Sequence, residues 1–237
     1  PPQQPTPPTP QQPTPTPSTP PQPKPSDPLS ALKIPPSIEK IELVKAVSRG
    51  GYRAELYRNK AYTCAQRGYQ TFAVVYKENT APGTNRPLWV RLHGGGYGAF
   101  VPDGSYSYPT PYLVEEGVEL GTPLLKETGL IQKIKTDPAG FRFLFPSLCD
   151  HDNYSGLGNI DPNNPYSPDE NGNKRKTDGL LALQASLKFT TNRFKTSHTF
   201  LHGTSAGSVG AMSLAIKLGV GGVGLSGAVL DSWVLNP

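Results

Sequence analysis

Gly203-Thr204-Ser205-Ala206-Gly207 is a G-x-S-x-G pentapeptide, preceded by Phe200-Leu201-His202 and followed by Ser208-Val209-Gly210-Ala211-Met212. A serine hydroxyl is a poor nucleophile until a base and a fixed geometry activate it. A tight strand-to-helix turn supplies that geometry, because it holds the serine strained and exposed above a sheet. Residues two before and two after must be small, or their side chains collide with the neighbouring strand and helix. Gly203 and Gly207 meet the demand. The turn also aims the Ala206 N–H, at a helix start, toward charge developing on a substrate oxygen. In a chain with 25 glycines such a pentapeptide also arises by chance, so its context decides its meaning. Here His198–His202 reads as a short strand and Gly207–Leu218 as a helix of small residues.

A second element is expected upstream. Pro87-Leu88-Trp89-Val90-Arg91-Leu92-His93 is a strand-like run that ends in Gly94-Gly95-Gly96-Tyr97-Gly98. A strand running into an H-G-G-G loop is how esterase folds supply the second backbone N–H of an oxyanion hole. A glycine run on its own would read as a surface turn. Paired with the later G-x-S-x-G, and with strand signals between, it is far more specific.

The elements that must position these loops follow from periodicity. Ile38–Val47 and Tyr52–Cys64 alternate like strands around the Arg49-Gly50-Gly51 turn, and Thr71–Tyr76 is a β-branched and aromatic strand. A loop, Glu78–Arg86, precedes the strand ending in His93, and Phe141–Phe145 is the next strand. Helical patterns run over Tyr112–Leu120, Leu124–Ile134 and Thr177–Phe189, with Asp178 near the start of the last. Residues 157–176 read as a long polar loop, and Val223–Leu230 as a final strand. Strands alternating with helices predict an α/β fold with a mostly parallel sheet and helices on both faces.

Composition bounds the rest. The first 28 residues hold 14 of the 28 prolines, mixed with Gln, Thr and Ser. Such a segment cannot bury apolar surface and favours extended polyproline II, so residues 1–28 read as a disordered linker. Residues 29–237 read as one globular domain. The net charge of +5 is spread along the sequence, and nucleic-acid binding is not indicated. Ala211–Leu230 is apolar, but Lys217 and five glycines interrupt it, which fits a buried helix, turn and strand better than a membrane span. Asp169-Glu170-Asn171-Gly172-Asn173 hints at a calcium loop, yet position twelve is Leu180 where a bidentate Glu is needed. The four histidines show no metal-ligand spacing. No metal or cofactor is expected. The two cysteines, Cys64 and Cys149, would be free thiols in a cytosolic chain, whereas a Pro/Thr linker is more typical of an exported or surface-tethered one.

Several stretches resemble one family. Cys149-Asp150-His151-Asp152-Asn153-Tyr154-Ser155-Gly156 looks like the C-x-x-D-x-W-S-G segment of the pectin acetylesterase/Notum family of serine esterases. Gly203–Gly207 resembles its G-S-S-A-G elbow, Leu230-Asp231-Ser232 its D-S-G, and Tyr62-Thr63-Cys64 its V-T-C segment. The strand ending in Gly94-Gly95 is similar to its L-E-G-G-W turn, with His93, Gly96 and Tyr154 departing from the pattern. The resemblance implies an α/β-hydrolase fold, Ser205 as nucleophile, and Gly95, Gly96 and Ala206 as oxyanion donors. It also implies a Cys64–Cys149 disulfide, secretion or cell-surface display, and an acetylated polysaccharide or other ester as substrate. A lipid or protein-acyl ester, or a fold kept only for binding, are the alternatives.

The catalytic base is the open question. In this fold the triad runs Ser, then Asp or Glu, then His along the chain. After Ser205 the sequence offers Asp231 and no histidine. The first expectation is that the chain is an N-terminal portion of the domain, with acid and base beyond Pro237. Loss of turnover, or recruitment of His93, His151 or His202, are the other readings. Asp231 is a second candidate for the acid.

Overall fold

The computed structural model describes residues 34–107, 129–221 and 224–231. The proline-rich linker and the Tyr112–Leu120 helix expected from sequence lie outside them. Seven strands form one sheet: β1 Ile41–Arg49, β2 Tyr52–Thr63, β3 Tyr69–Lys77, β4 Arg86–Leu92, β5 Arg142–Pro146, β6 Thr196–Thr204 and β7 Gly227–Asp231. Among the described residues three helices are interleaved with them, α1 Leu130–Thr136, α2 Gly179–Arg193 and α3 Ala206–Gly221. α1 covers only the end of the helical pattern read over Leu124–Ile134.

The sheet order is β1-β2-β3-β5-β4-β6-β7. This corrects the expectation of a mostly parallel sheet, because the sheet is mixed. β5, β4, β6 and β7 pair parallel, whereas β1, β2 and β3 pair antiparallel with one another and β3 pairs antiparallel with β5. The reason is connection length. Parallel neighbours need a crossover, and α2 and α3 supply two of those links, whereas β1 and β2 are joined by Gly50-Gly51 alone. Their φ values of 60° and 77° are what a two-residue hairpin turn demands, and glycine adopts them without strain. In its parallel half the sheet fits an α/β-hydrolase-like architecture.

Helices cover both faces. Leu88, Val90, Leu144 and Leu201 face α2 and α3 through Leu183 and Leu214. Trp89, Phe143 and Val75 face α1 through Ile131. Arg142, the first residue of the central strand β5, is fully buried. Its guanidinium donates to the carbonyls of Lys195, Ala81, Pro82 and Thr84, so the β3–β4 loop is hydrogen-bonded to the strand interior. No described helix is long and apolar enough to cross a membrane.

Cys64 and Cys149 form a disulfide that joins the end of β2 to the segment after β5, across a sequence separation of 85. Both cysteines are buried. A cross-link over so long a loop restricts the unfolded chain and stabilises by about 2–4 kcal/mol. Cys64→Ala/Cys149→Ala should therefore move the denaturant midpoint down by that free energy. An unchanged midpoint would show that the bridge contributes nothing to stability.

Candidate active site

β6 ends at Thr204 and α3 begins at Ala206, so Ser205 is the single residue between strand and helix. Its φ is 52° and its side chain is exposed. Left-handed backbone at a non-glycine residue persists only where the surroundings over-determine it. Here they do. The Ser205 N–H donates to the Asp231 carbonyl at 3.0 Å, tying the turn to β7. Ser208, one turn into the helix, donates through Oγ to the carbonyls of Gly203 and Asp231, at 2.8 and 2.9 Å. A Cβ on Gly203 would lie 2.1 Å from the Gly207 carbonyl oxygen, and one on Gly207 would lie 2.2 Å from that of Leu92. No side chain fits at either place, as the pentapeptide predicted.

The glycine loop after β4 packs directly on this turn. A Cβ on Gly94 would meet Ser205 Cβ at 3.0 Å and the Thr204 carbonyl at 3.1 Å, with Ser205 Oγ at 3.7 Å. Gly95 and Gly96 follow, Gly95 against Leu148 and Gly96 at φ 78°. The structure thus brings Ser205, Ala206 and the 94–96 loop together at the carboxyl ends of adjacent parallel strands. Gly94, not assigned from sequence, is the glycine in contact with the serine turn. The glycine run contained it, but nothing in the sequence ranks one glycine of three above the others.

The Cys149–Gly156 segment forms the wall beside the loop. The His151 carbonyl accepts the Gly98 N–H at 2.8 Å, and Tyr106 Oη donates to the Asp150 carbonyl at 2.8 Å. His151, Asn153 and Tyr154 have φ of 47°, 57° and 57°. Together with Ser205 they are the only non-glycine residues at positive φ among the described residues, and all four belong to this one region. Tyr154 is buried against α3, where a Cβ on Gly210 would sit 2.6 Å from its own.

Two aspartates in this segment hold it to the start of α2. Asp152 accepts the backbone N–H groups of Tyr154, Gly156 and Gly179, at 2.9, 2.9 and 2.8 Å. Asp150 accepts those of Ala65 and Asp178, at 2.7 and 2.9 Å, and the Gln70 amide at 2.8 Å. These bonds satisfy donors that the helix start leaves open. Burial pushes both carboxyls up, Asp150 well above its ordinary range with the neighbouring Asp152 charge adding to it. Their function here is structural, which the motif did not disclose.

The histidines separate. His93 bonds through Nδ1 with the Gly94 carbonyl, and burial holds its imidazole below the ordinary value. The His151 ring lies beside Gly95, with Cε1 3.6 Å from where a Cβ would be. His202 packs edge-on against Trp89, and burial lowers it to about 4, so it is neutral at physiological pH. Arg91 lowers it further and Asp231 opposes. His198 is exposed on the opening residues of β6, at the far end of the strand from Ser205.

Beside the glycine loop opens a cavity of about 350 Å³, lined by Tyr97, Asp152, Ser155, Asn159, Asp161 and Thr177 among others. Tyr97 stands 63% exposed at its mouth. The lining presents one aromatic side chain and several short polar ones.

No family model matches the chain, and no curated protein matches it in sequence. Distant likenesses exist among solved structures. A Bacteroides fragilis protein described as an acetyl xylan esterase shares 15% identity at a TM-score of 0.40, covering 78% of this chain and 46% of that one. An S-formylglutathione hydrolase from Agrobacterium tumefaciens shares 10% at 0.40, covering 74% and 56%. A bacterial brefeldin A esterase shares 14% at 0.37, covering 78% and 40%. The chain spans about half the length of these structures.

Asp178, at the N-cap of α2, offers a test of the aspartate cluster. Burial chiefly pushes its carboxyl up to about 6, with Lys176 pulling down and Asp152 pushing up. An acid whose pKa is higher folded than unfolded holds its proton more tightly in the native state. Its favourable contribution is therefore complete below the unfolded value near 3.8 and is lost as pH rises to about 6. Asp178→Asn should unfold like the parent at pH 4 and be more stable by about 1–3 kcal/mol at pH 7.5. A variant less stable than the parent at both pH values would refute this account.

Proposed function

We propose that the protein is a serine esterase that removes acyl groups, acetyl in particular, from a polysaccharide or similar carbohydrate ester. One observation carries this reading: Ser205 is exposed at φ 52° between β6 and α3, with the glycine loop against it. Strain of this kind, held by backbone contacts that exclude every side chain, is the arrangement that a nucleophilic serine needs. The polar, tyrosine-flanked cavity beside the loop supports a sugar ester with a short acyl group. The stretches that resemble pectin acetylesterase motifs support the same reading.

In the proposed reaction Ser205 Oγ bonds to the ester carbonyl carbon while its proton passes to a base. Charge gathers on the carbonyl oxygen, and the N–H groups of Gly95, Gly96 and Ala206 receive it, each such donor being worth about 10²–10³ in rate. The bond to the sugar oxygen then breaks, and that oxygen takes the proton. Water adds to the acyl carbon, the bond to Ser205 Oγ breaks, and acetate leaves. The reaction needs a base for the Ser205 proton, and all four histidines precede Ser205, whereas the order of this fold is Ser, acid, His. The Cys64–Cys149 disulfide and the proline-rich segment support secretion or display at the cell surface, with the linker as tether.

The full-length protein should hydrolyse p-nitrophenyl acetate, and Ser205→Ala should lower kcat/KM by at least about 10³-fold. The serine is exposed, so the variant is expected to fold. Undiminished turnover in a folded Ser205→Ala protein would sink the assignment.

A further inference from the structure

The glycine loop after β4 can serve Ser205 in one shape only, and little within the loop holds that shape. Gly94, Gly95 and Gly96 are consecutive, and glycine has the widest backbone freedom of any residue. At its start the loop is fixed by the serine turn, through Gly94 against Ser205 Cβ and the Thr204 carbonyl. At its end the Gly98 N–H donates to the His151 carbonyl at 2.8 Å. Between these points Gly95 and Gly96 are half-buried, and among the described residues neither N–H has a hydrogen-bond partner. Where those two N–H groups point is therefore decided by packing.

A Cβ on Gly95 would lie 2.9 Å from Leu148 Cδ2, and 3.6 and 3.8 Å from His151 Cε1 and Nδ1. A Cβ on Gly98 would lie 3.0 Å from His151 Cβ and 2.9 Å from the Tyr106 hydroxyl. His151 thus meets the loop at three points: with its imidazole at Gly95, its Cβ at Gly98, and its carbonyl at the Gly98 N–H.

The imidazole is itself held in place. His151 is 2% exposed and has a φ of 47°. Its neighbours in sequence are Asp150 and Asp152, whose carboxyls accept six hydrogen bonds, from Ala65, Gln70, Asp178, Tyr154, Gly156 and Gly179. Tyr106 stands edge-on to the ring at a centroid distance of 6.3 Å, and its hydroxyl donates to the Asp150 carbonyl at 2.8 Å. Left-handed backbone restricts the residue that can stand here: besides glycine, Asn, Asp and His adopt it most readily, and of these only His carries a ring. The C-x-x-D-x-W-S-G segment leaves this position open, so the resemblance assigns His151 no role.

We propose that His151 is the positioning residue of the glycine loop. Its imidazole fills the space against Gly95 and so sets the direction of the Gly95 and Gly96 N–H groups. In the proposed esterase reaction, on which this consequence rests, a loop held in one conformation meets the developing oxyanion with its donors already aimed. A loop free to wander must be ordered as the charge forms, and the barrier rises by that amount. His151 acts through the loop, without touching the substrate, and takes no proton.

Two substitutions in the full-length protein separate the ring from the backbone, His151→Gly and His151→Asn. Both residues suit a φ of 47°, so neither strains the turn. Gly removes the whole side chain, whereas Asn keeps Cβ and a planar group but has no ring and no basic nitrogen. With p-nitrophenyl acetate, His151→Gly should lower kcat and kcat/KM together by at least about tenfold, with KM within about twofold, as when an interaction made only in the transition state is lost. His151→Asn should regain at least about threefold of that loss. Backbone amide order parameters read the loop without any reaction. Those of Gly95 and Gly96 should fall from the rigid range near about 0.85 to below about 0.6 in His151→Gly, with β4 and α3 unchanged. Order parameters that stay at the parent's values would overturn the proposal. An ordered loop with turnover as low as in Ser205→Ala, in both variants alike, would overturn it in favour of His151 as the base. Loosened glycines in a protein whose parent fails to hydrolyse the ester would uphold His151 as the residue that orders the loop and reject only the esterase reading.

Discussion

The structure turns on a contact between backbones with no side chain between them. Gly207 of α3 lies against the carbonyl of Leu92 at the end of β4, and Gly203 of β6 against the carbonyl of Gly207. These contacts set how closely α3 can approach two parallel strands, and hence where Ser205 stands. They also explain why a strained residue is stable there. Left-handed backbone costs of order 1–3 kcal/mol, and the hydrogen bonds from Ser205 and Ser208 to the Asp231 carbonyl offset it. β7 therefore serves the serine turn through one carbonyl oxygen, whatever the Asp231 side chain does.

The second fixed point is electrostatic. Asp150 and Asp152 are buried, and each accepts three hydrogen bonds, five of the six from backbone N–H groups. A buried carboxyl is costly unless it is hydrogen-bonded, and both of these are. The arrangement ties the segment after β5 to the end of β2, through Ala65 and the disulfide, and to the start of α2. The same segment meets the glycine loop through Gly98 and α3 through Gly210. One short stretch thus sets the distance between the glycine loop after β4, the helix after Ser205 and the helix beside it. That is a physical reason for the density of special residues between Cys149 and Gly156, and for three of them being at positive φ.

What the sequence disclosed divides along a physical line. Local rules were legible: the Gly50-Gly51 hairpin turn, the strand–serine–helix order around Ser205, and the buried runs of β3, β4 and β5. Each depends on neighbours within a few residues. Pairing between strands remote in sequence was not legible. β3 lies antiparallel to β5, but an apolar run such as Thr71–Tyr76 buries both faces equally well in a parallel or an antiparallel setting. The roles of Asp150 and Asp152 were hidden for the same reason, since most of their donors come from Ala65, Gln70, Asp178 and Gly179. Which glycine of three touches the serine turn depends on loop geometry that composition does not carry.

The mixed sheet decides which strand ends lie beside one another. Because β3 runs antiparallel to β5, Phe72 near the start of β3 pairs with Pro146 at the end of β5. The end of β2, the start of β3 and the carboxyl ends of the parallel strands therefore share one edge of the sheet. In an all-parallel sheet Lys60 and Tyr69 could not both stand at that edge, since one would close its strand there and the other would open its own at the opposite end. The antiparallel half thus does more than extend the sheet. It brings strand ends of opposite sense to the edge of the sheet at which the parallel strands end. The end of β2 and the loop that follows the glycines, which share Ile160 as a border, come to lie side by side through that reversal of strand direction.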